Sequence, residues 1–170
     1  MRFQLLPSTF DDNGVASARQ HLTCFVIDDR VAFDAGSLAM SANSVQKRQI
    51  RDIVLSHAHL DHIAGLPLLV DDLFASVKEP IHVYAAAEVI DILERDIFNW
   101  SVYPKFSELE NENGEVLEYR PIEAGVEFNV RHLKVKAASV NHRVPASGFI
   151  ISDDDTTIAL TGDTAAMDEF

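Results

Sequence analysis

The chain has 170 residues, a mass of 18.9 kDa and 47% hydrophobic residues, enough to bury a core and to exclude a disordered, collagenous or coiled-coil chain. Its 27 Asp and Glu against 14 Lys and Arg give a formal charge of −13 and a pI near 4.7, which disfavours long-range attraction to nucleic acid. A single cysteine, Cys24, excludes an intramolecular disulfide framework and a four-cysteine zinc ribbon.

Leu22 to Ile27 and Val31 to Phe33 are rich in β-branched and aromatic residues and flank Asp28-Asp29-Arg30, a pattern that predicts a hairpin leading into Asp34-Ala35-Gly36. Ile53 to Leu55 reads as a short buried strand. Beyond it, apolar residues at 63, 66, 69, 70, 73, 74 and 77 keep a helical period with Asp71 and Asp72 opposite, so strand gives way to helix near residue 62. Ile81 to Tyr84 is the next strand, and Ala86, Val89, Ile90, Leu93 and Ile97 mark the next helix. Ser107 to Glu118, with five glutamates and no base, reads as a solvated surface loop. Strands return at Val126 to Val140, Ser147 to Ile151 and Thr157 to Thr161, which predicts a layered α/β architecture. The longest near-apolar stretch, Ile63 to Val70, is too short to cross a bilayer, and Met1 to Gly14 lacks the order of a secretory signal. The expectation is a soluble cytoplasmic protein that does not meet a membrane.

The densest chemistry is Ser56-His57-Ala58-His59-Leu60-Asp61-His62, three imidazoles and a carboxylate at a strand-to-helix junction. His57 and His59 project to one side of an extended segment and can grip one cation. Asp61 and His62, past the bend, can face a second. Capping or packing needs one such residue and not four, and nitrogen with carboxylate oxygen suits zinc, with manganese or iron also compatible. His142 and Asp163, each just after a predicted strand, are the further ligand candidates, since ligands converge where strands end. Trp100 and Tyr103 read as packing residues before a stacking face for a base, Cys24 as an inert buried thiol, and His21, His82 and His132 lack ligand partners at useful spacing.

His57-Ala-His59-Leu-Asp61-His62 resembles the HxHxDH motif of the metallo-β-lactamase superfamily, and Asp34-Ala-Gly36, His142 and Thr161-Gly-Asp163-Thr match its other landmarks in order. A histidine at 62 makes the sequence more similar to the phosphodiesterase, ribonuclease, lactonase and thiolester-hydrolase branches than to true β-lactamases. The segments Leu55 to Leu66 and Asp96 to Phe106, with Ser147-Gly-Phe149, resemble class II cyclic-nucleotide phosphodiesterases most closely. The resemblance implies an α/β fold of the metallo-β-lactamase-like αββα sandwich type. It also implies His57, His59 and His142 on a first zinc ion, Asp61 and His62 on a second, Asp163 bridging both, and Asp61 and His62 in the catalytic machinery. A metal-bridging hydroxide would attack the phosphorus of a small phosphodiester, foremost a 3′,5′-cyclic nucleotide, and long nucleic acid is not an expected partner. A tRNase Z-like endonuclease, a lactonase, a thiolester hydrolase and a truncated non-catalytic metal-binding protein are the alternatives. The superfamily also places a histidine well past the bridging aspartate, whereas no histidine follows His142 here. One metallo-hydrolase domain over 1–170, forming an N-terminal portion of the full fold, is therefore expected, with a second subunit in a homodimer as another source of the missing ligand.

Overall fold

The structure, a computed structural model, describes residues 1–165. β1 (Phe3–Leu5), β2 (Phe25–Ile27) and β3 (Val31–Phe33) run antiparallel in turn, with Phe25 opposite Phe33 in the predicted hairpin. Its turn holds Asp28 and Asp29 at φ 51° and 57°, a left-handed conformation that aspartate accepts more readily than a branched side chain. Two short helices then appear that the periodicity does not announce, α1 (Leu38–Ser41) and α2 (Ser44–Gln49). The start of α2 is fixed by a capping box, in which Asn43 accepts from the Val45 and Gln46 amides and Gln46 accepts from the Asn43 amide.

β4 (Asp52–Val54) lies parallel to β3 and to β5 (Ile81–Ala86). Between β4 and β5 the helical period is realised as α3 (Leu60–Ile63) and α4 (Gly65–Leu73). α5 (Ala87–Ile92) follows β5 and ends in one π turn over Leu93–Ile97. The glutamate-rich segment is more ordered than a loop: β6 (Glu110–Asn111) and β7 (Gly114–Glu115) pair as a hairpin, and Val116, fully buried, leads into β8 (Leu117–Ile122) beside β5. β8 closes one edge of the sheet, where Pro121 needs no ladder donor on its outer side. The predicted strand over 126–140 is broken at Arg131 (φ 54°) into β9 (Glu127–Val130) and β10 (Leu133–Ser139), followed by β11 (Ser147–Ser152) and β12 (Thr157–Leu160).

The strands form a six-stranded sheet in the order β1-β2-β3-β4-β5-β8 and a four-stranded antiparallel sheet in the order β12-β11-β10-β9. Alternation along the strands sorts the first sheet's residues into two cores. Val26, Ala32, Ile53 and Leu55 face the helices with Leu66, Leu69 and Val70, while Ile27, Val31, Phe33 and Val54 face the second sheet with Val135, Phe149 and Ile151. Helix, sheet and sheet thus stack as three layers among the described residues. No helix of the described residues is long and apolar enough to cross a membrane.

Candidate metal centre

The parallel strands β3 and β4 end side by side, and their C-terminal extensions build the site. Asp34 follows β3 at φ 57°, and Ser56 and His57 follow β4. The chain then turns at His59, which is extended (ψ 146°) at the N-cap of α3, and this places Asp61 and His62 in the first turn of a helix. Backbone hydrogen bonds clamp that turn to the Asp34 loop. The Ala35 amide donates to His62 O, the Gly65 amide to Ala35 O, the Thr23 amide to Asp61 O and the Gly36 amide to Thr23 O, all at 2.7–2.9 Å. Gly36 is required here because a Cβ would lie 1.9 Å from Asp61 O.

The second sheet brings the remaining residues. The Ser147 amide at the start of β11 donates to Ser56 O at 3.0 Å, joining the two sheets at this rim. His142 lies in the β10–β11 connection and Asp163 after β12, and the two segments are tied by the Ala165 amide donating to Asn141 O at 2.8 Å.

Three imidazoles meet on one flank. His57 Nε2 lies 3.0 Å and His142 Nε2 3.2 Å from His59 Nδ1. Nitrogens bound tetrahedrally to zinc at ordinary bond lengths lie about 3.3 Å apart, so this triangle is close to a ligand set. On the other flank His57, His62 and Asp163 each offer a ligand atom within 4.8 Å of the others, and His62 Nε2 is 3.4 Å from Asp163 and 3.6 Å from Asp61. His57 adjoins both groups. All six residues expected from the sequence are therefore brought to one rim, His57 and His62 buried, Asp61 and Asp163 half-exposed.

Two residues not singled out as site residues, Asp34 and Ser56, organise this rim from beneath. Asp34 accepts the Ser56 amide (2.8 Å), the Ser56 hydroxyl (2.9 Å) and the His62 Nδ1–H (2.7 Å). The Ser56 hydroxyl has one proton and donates it to this carboxylate, so its 2.9 Å contact with His57 Nδ1 must be an N–H donated to oxygen. Both histidines are thereby held as the tautomer whose Nε2 carries the lone pair facing the rim. The available signal was Asp34-Ala-Gly at a strand end, a polar residue placed where a buried hydrogen bond has to be met.

The electrostatics agree with a cation site. Burial, then the neighbouring imidazoles against the pull of Asp34, lowers the His57 pKa to about 4, so it is neutral and free to ligate at neutral pH. His62 moves the other way: burial opposes its proton, but the hydrogen bond and charge of Asp34, with Asp61 and Asp163, raise its pKa. Carboxylates that favour a proton there favour a metal cation equally. His62 Nε2 is buried with no hydrogen-bond partner among the described residues, an orphan that a cation would satisfy. The donor set fits divalent metal.

Removal of the Asp34 charge by Asp34→Asn is expected to weaken metal binding by about 10- to 100-fold with the folded signal kept, read by competition against a chromophoric chelator. Unchanged affinity would show that Asp34 does not orient His62.

The other expectations fall as follows. Cys24 is fully buried; His82 is taken up by Asp52 and Glu118, and His132 by Asp28. Tyr103 packs against the helical core, whereas Trp100 is 57% exposed at φ 67°, so packing accounts for the tyrosine alone.

The family model described as "Beta-lactamase superfamily domain" matches residues 29–169. A "Probable 3',5'-cyclic-nucleotide phosphodiesterase" of Yersinia pestis is 30% identical over 128 residues, covering 72% of this chain and 35% of that protein. A "Nuclear ribonuclease Z" of Triticum aestivum is 30% identical over 134 residues, covering 77% of this chain and 69% of that protein. The chain thus spans about a third of the first relative and about two thirds of the second. Among solved structures, unliganded yeast PDE1 superposes with a TM-score of 0.70 at 15% identity, covering 99% of this chain and 67% of that one. The metallo-β-lactamase fold protein YhfI of Bacillus subtilis gives 0.69 at 17%, covering 98% and 64%. The fold expected from the motif is thus the fold observed.

Proposed function

This chain belongs to the β-lactamase superfamily domain family, and we propose that it is a metal-dependent hydrolase of a small phosphodiester, foremost a 3′,5′-cyclic nucleotide. The observation that carries this reading is the convergence of His57, His59 and His142 beside His62, Asp61 and Asp163 around the unpartnered His62 Nε2. The three histidines would hold one divalent cation, and His62, Asp61 and Asp163 a second, zinc being favoured by the nitrogen-rich donors. When bound, such cations supply Lewis-acid polarisation of a phosphoryl oxygen and acidify a water for attack. The protein's own contribution is to keep the donors in place before substrate arrives. Asp34 and Ser56 fix two ring tautomers, the Thr23–Asp61 and Gly36–Thr23 backbone bonds hold the His59–His62 turn, and the Ser147–Ser56 bond sets the second sheet against the first. One domain over 1–170 and a cytoplasmic location belong to the same proposal.

A small substrate is favoured over RNA by charge. At −13 the protein repels a long phosphate backbone, while a single diester needs only the local positive charge of the site. The wheat ribonuclease Z relative supports RNA cleavage as the second reading. Turnover by the zinc-loaded chain of cyclic AMP, cyclic GMP, a generic aryl diester, precursor tRNA, a lactone and a thiolester separates these. Cyclic-nucleotide turnover above the others is the expected result, and cleavage of the generic diester or of tRNA with neither cyclic nucleotide touched would overturn it.

A further inference from the structure

At the end of the first sheet away from the metal centre lies a cleft of about 350 Å³ whose walls carry Arg30, Arg48, Arg51, Lys78 and Arg131 against one carboxylate, Glu79. Five of the chain's 14 basic residues meet there in a protein of net charge −13. They come from separate segments. Arg30 precedes β3, Arg51 precedes β4, Lys78 precedes β5, Arg48 is in the last turn of α2 and Arg131 turns β9 into β10. The same β3 and β4 carry Asp34 and His57 at their other ends, so the cleft and the metal centre are separate.

These cations are largely uncompensated. Arg131 donates to the buried Asp52 carboxylate at 2.5 Å, and Arg51 Nη1 donates to Lys47 O and Ile50 O at 3.1 and 2.7 Å. Arg30, Arg48 and Lys78 have no hydrogen bond or ion pair through their side chains among the described residues. Like charges gathered at one rim repel unless an anion joins them. Arg51 is the half-buried member of the set, and burial lowers its pKa, with the charge of Arg131 acting the same way and the pull of Glu79 and Asp52 acting against both.

We propose that this cleft binds a compact polyanion carrying a di- or triphosphate group. Guanidinium forks match phosphate oxygens in pairs, and one orthophosphate carries less negative charge than the five cations that meet in this cleft can neutralise. The wall has no aromatic side chain on which a base could stack, so the phosphates themselves are recognised and any carrier extends into solvent.

The test is calorimetric titration of the chain, in low salt with a chelator present, with tripolyphosphate, ATP and orthophosphate. Saturable tripolyphosphate binding is expected, at least about tenfold tighter than orthophosphate, and weakened at least about tenfold by the double variant Arg48→Ser, Lys78→Ser. Both positions are exposed; should that variant lose its unfolding transition, Arg30→Ser serves instead. His59→Ala should bind as the parent does, which keeps the ligand off the metal centre. ATP binding as tightly as tripolyphosphate supports a nucleotide source, and tripolyphosphate binding alone supports free polyphosphate. Undiminished binding by the cleft variants, loss of binding in His59→Ala, or no binding of either polyphosphate overturns the proposal.

Discussion

Replacing His59 with alanine is expected to abolish metal-dependent hydrolysis while leaving the protein folded, and Asp61→Ala to do the same. The His59 ring contributes the nitrogen nearest both partners, 3.0 Å from His57 Nε2 and 3.2 Å from His142 Nε2, so its loss opens the triangle at its shared vertex. Asp61 is half-exposed beside His62 Nε2, and among the described residues it and Asp163 are the carboxylates within 4 Å of that nitrogen. Neither side chain belongs to either hydrophobic core, and truncation of such a partly exposed residue costs at most about 1 kcal/mol. Losing a ligand, by contrast, removes charge stabilisation worth several kcal/mol, on the order of a 10³-fold loss of rate. The check is hydrolysis and bound metal by elemental analysis beside a circular dichroism melt. Activity near that of the parent in both variants would sink the assignment of this site.

Gly36→Ala is expected to act on the fold and on the site at once. The added Cβ would lie 1.9 Å from Asp61 O, 2.8 Å from the Thr23 nitrogen and 2.9 Å from Asp61 C. All three are backbone atoms, so no side chain can turn aside, and the His59–His62 turn must move or the Thr23–Asp61 and Gly36–Thr23 hydrogen bonds must break. Overpacking of this kind costs about 3 kcal/mol. Denaturant unfolding should show a lower midpoint with an unchanged slope, and metal affinity should fall with it. A variant as stable as the parent would mean that the contact relaxes without cost.

Much of this was legible along the chain because it is local. The spacing of His57, His59, Asp61 and His62 is enough to read a metal motif, since one extended segment and one helical turn set which side each residue faces. The hairpin at Asp28–Arg30 and the helical period after residue 62 are also short-range patterns, and both are present. The glutamates of 107–118 misled because their charge outweighed Val116 and Leu117, whose burial against β5 depends on a strand more than 30 residues away. α2 depends on one capping box, a signal too short to stand out in a hydrophobic pattern.

What the sequence determined by itself was the chemistry of the ligands and the strand-ends on which they stand, because alternation and helical period are properties of neighbouring residues. Only the tertiary structure decided which nitrogen of His57 and of His62 is free. Asp34 reaches Ser56 and His62 across 22 and 28 residues, and no local rule couples them. It alone also gathered five bases from five segments into one cleft, because the parallel strands collect Arg30, Arg51 and Lys78 before their N-terminal ends, opposite the metal centre, and α2 and the β9–β10 turn bring Arg48 and Arg131 beside them; a count of charges along the chain averages that cluster away.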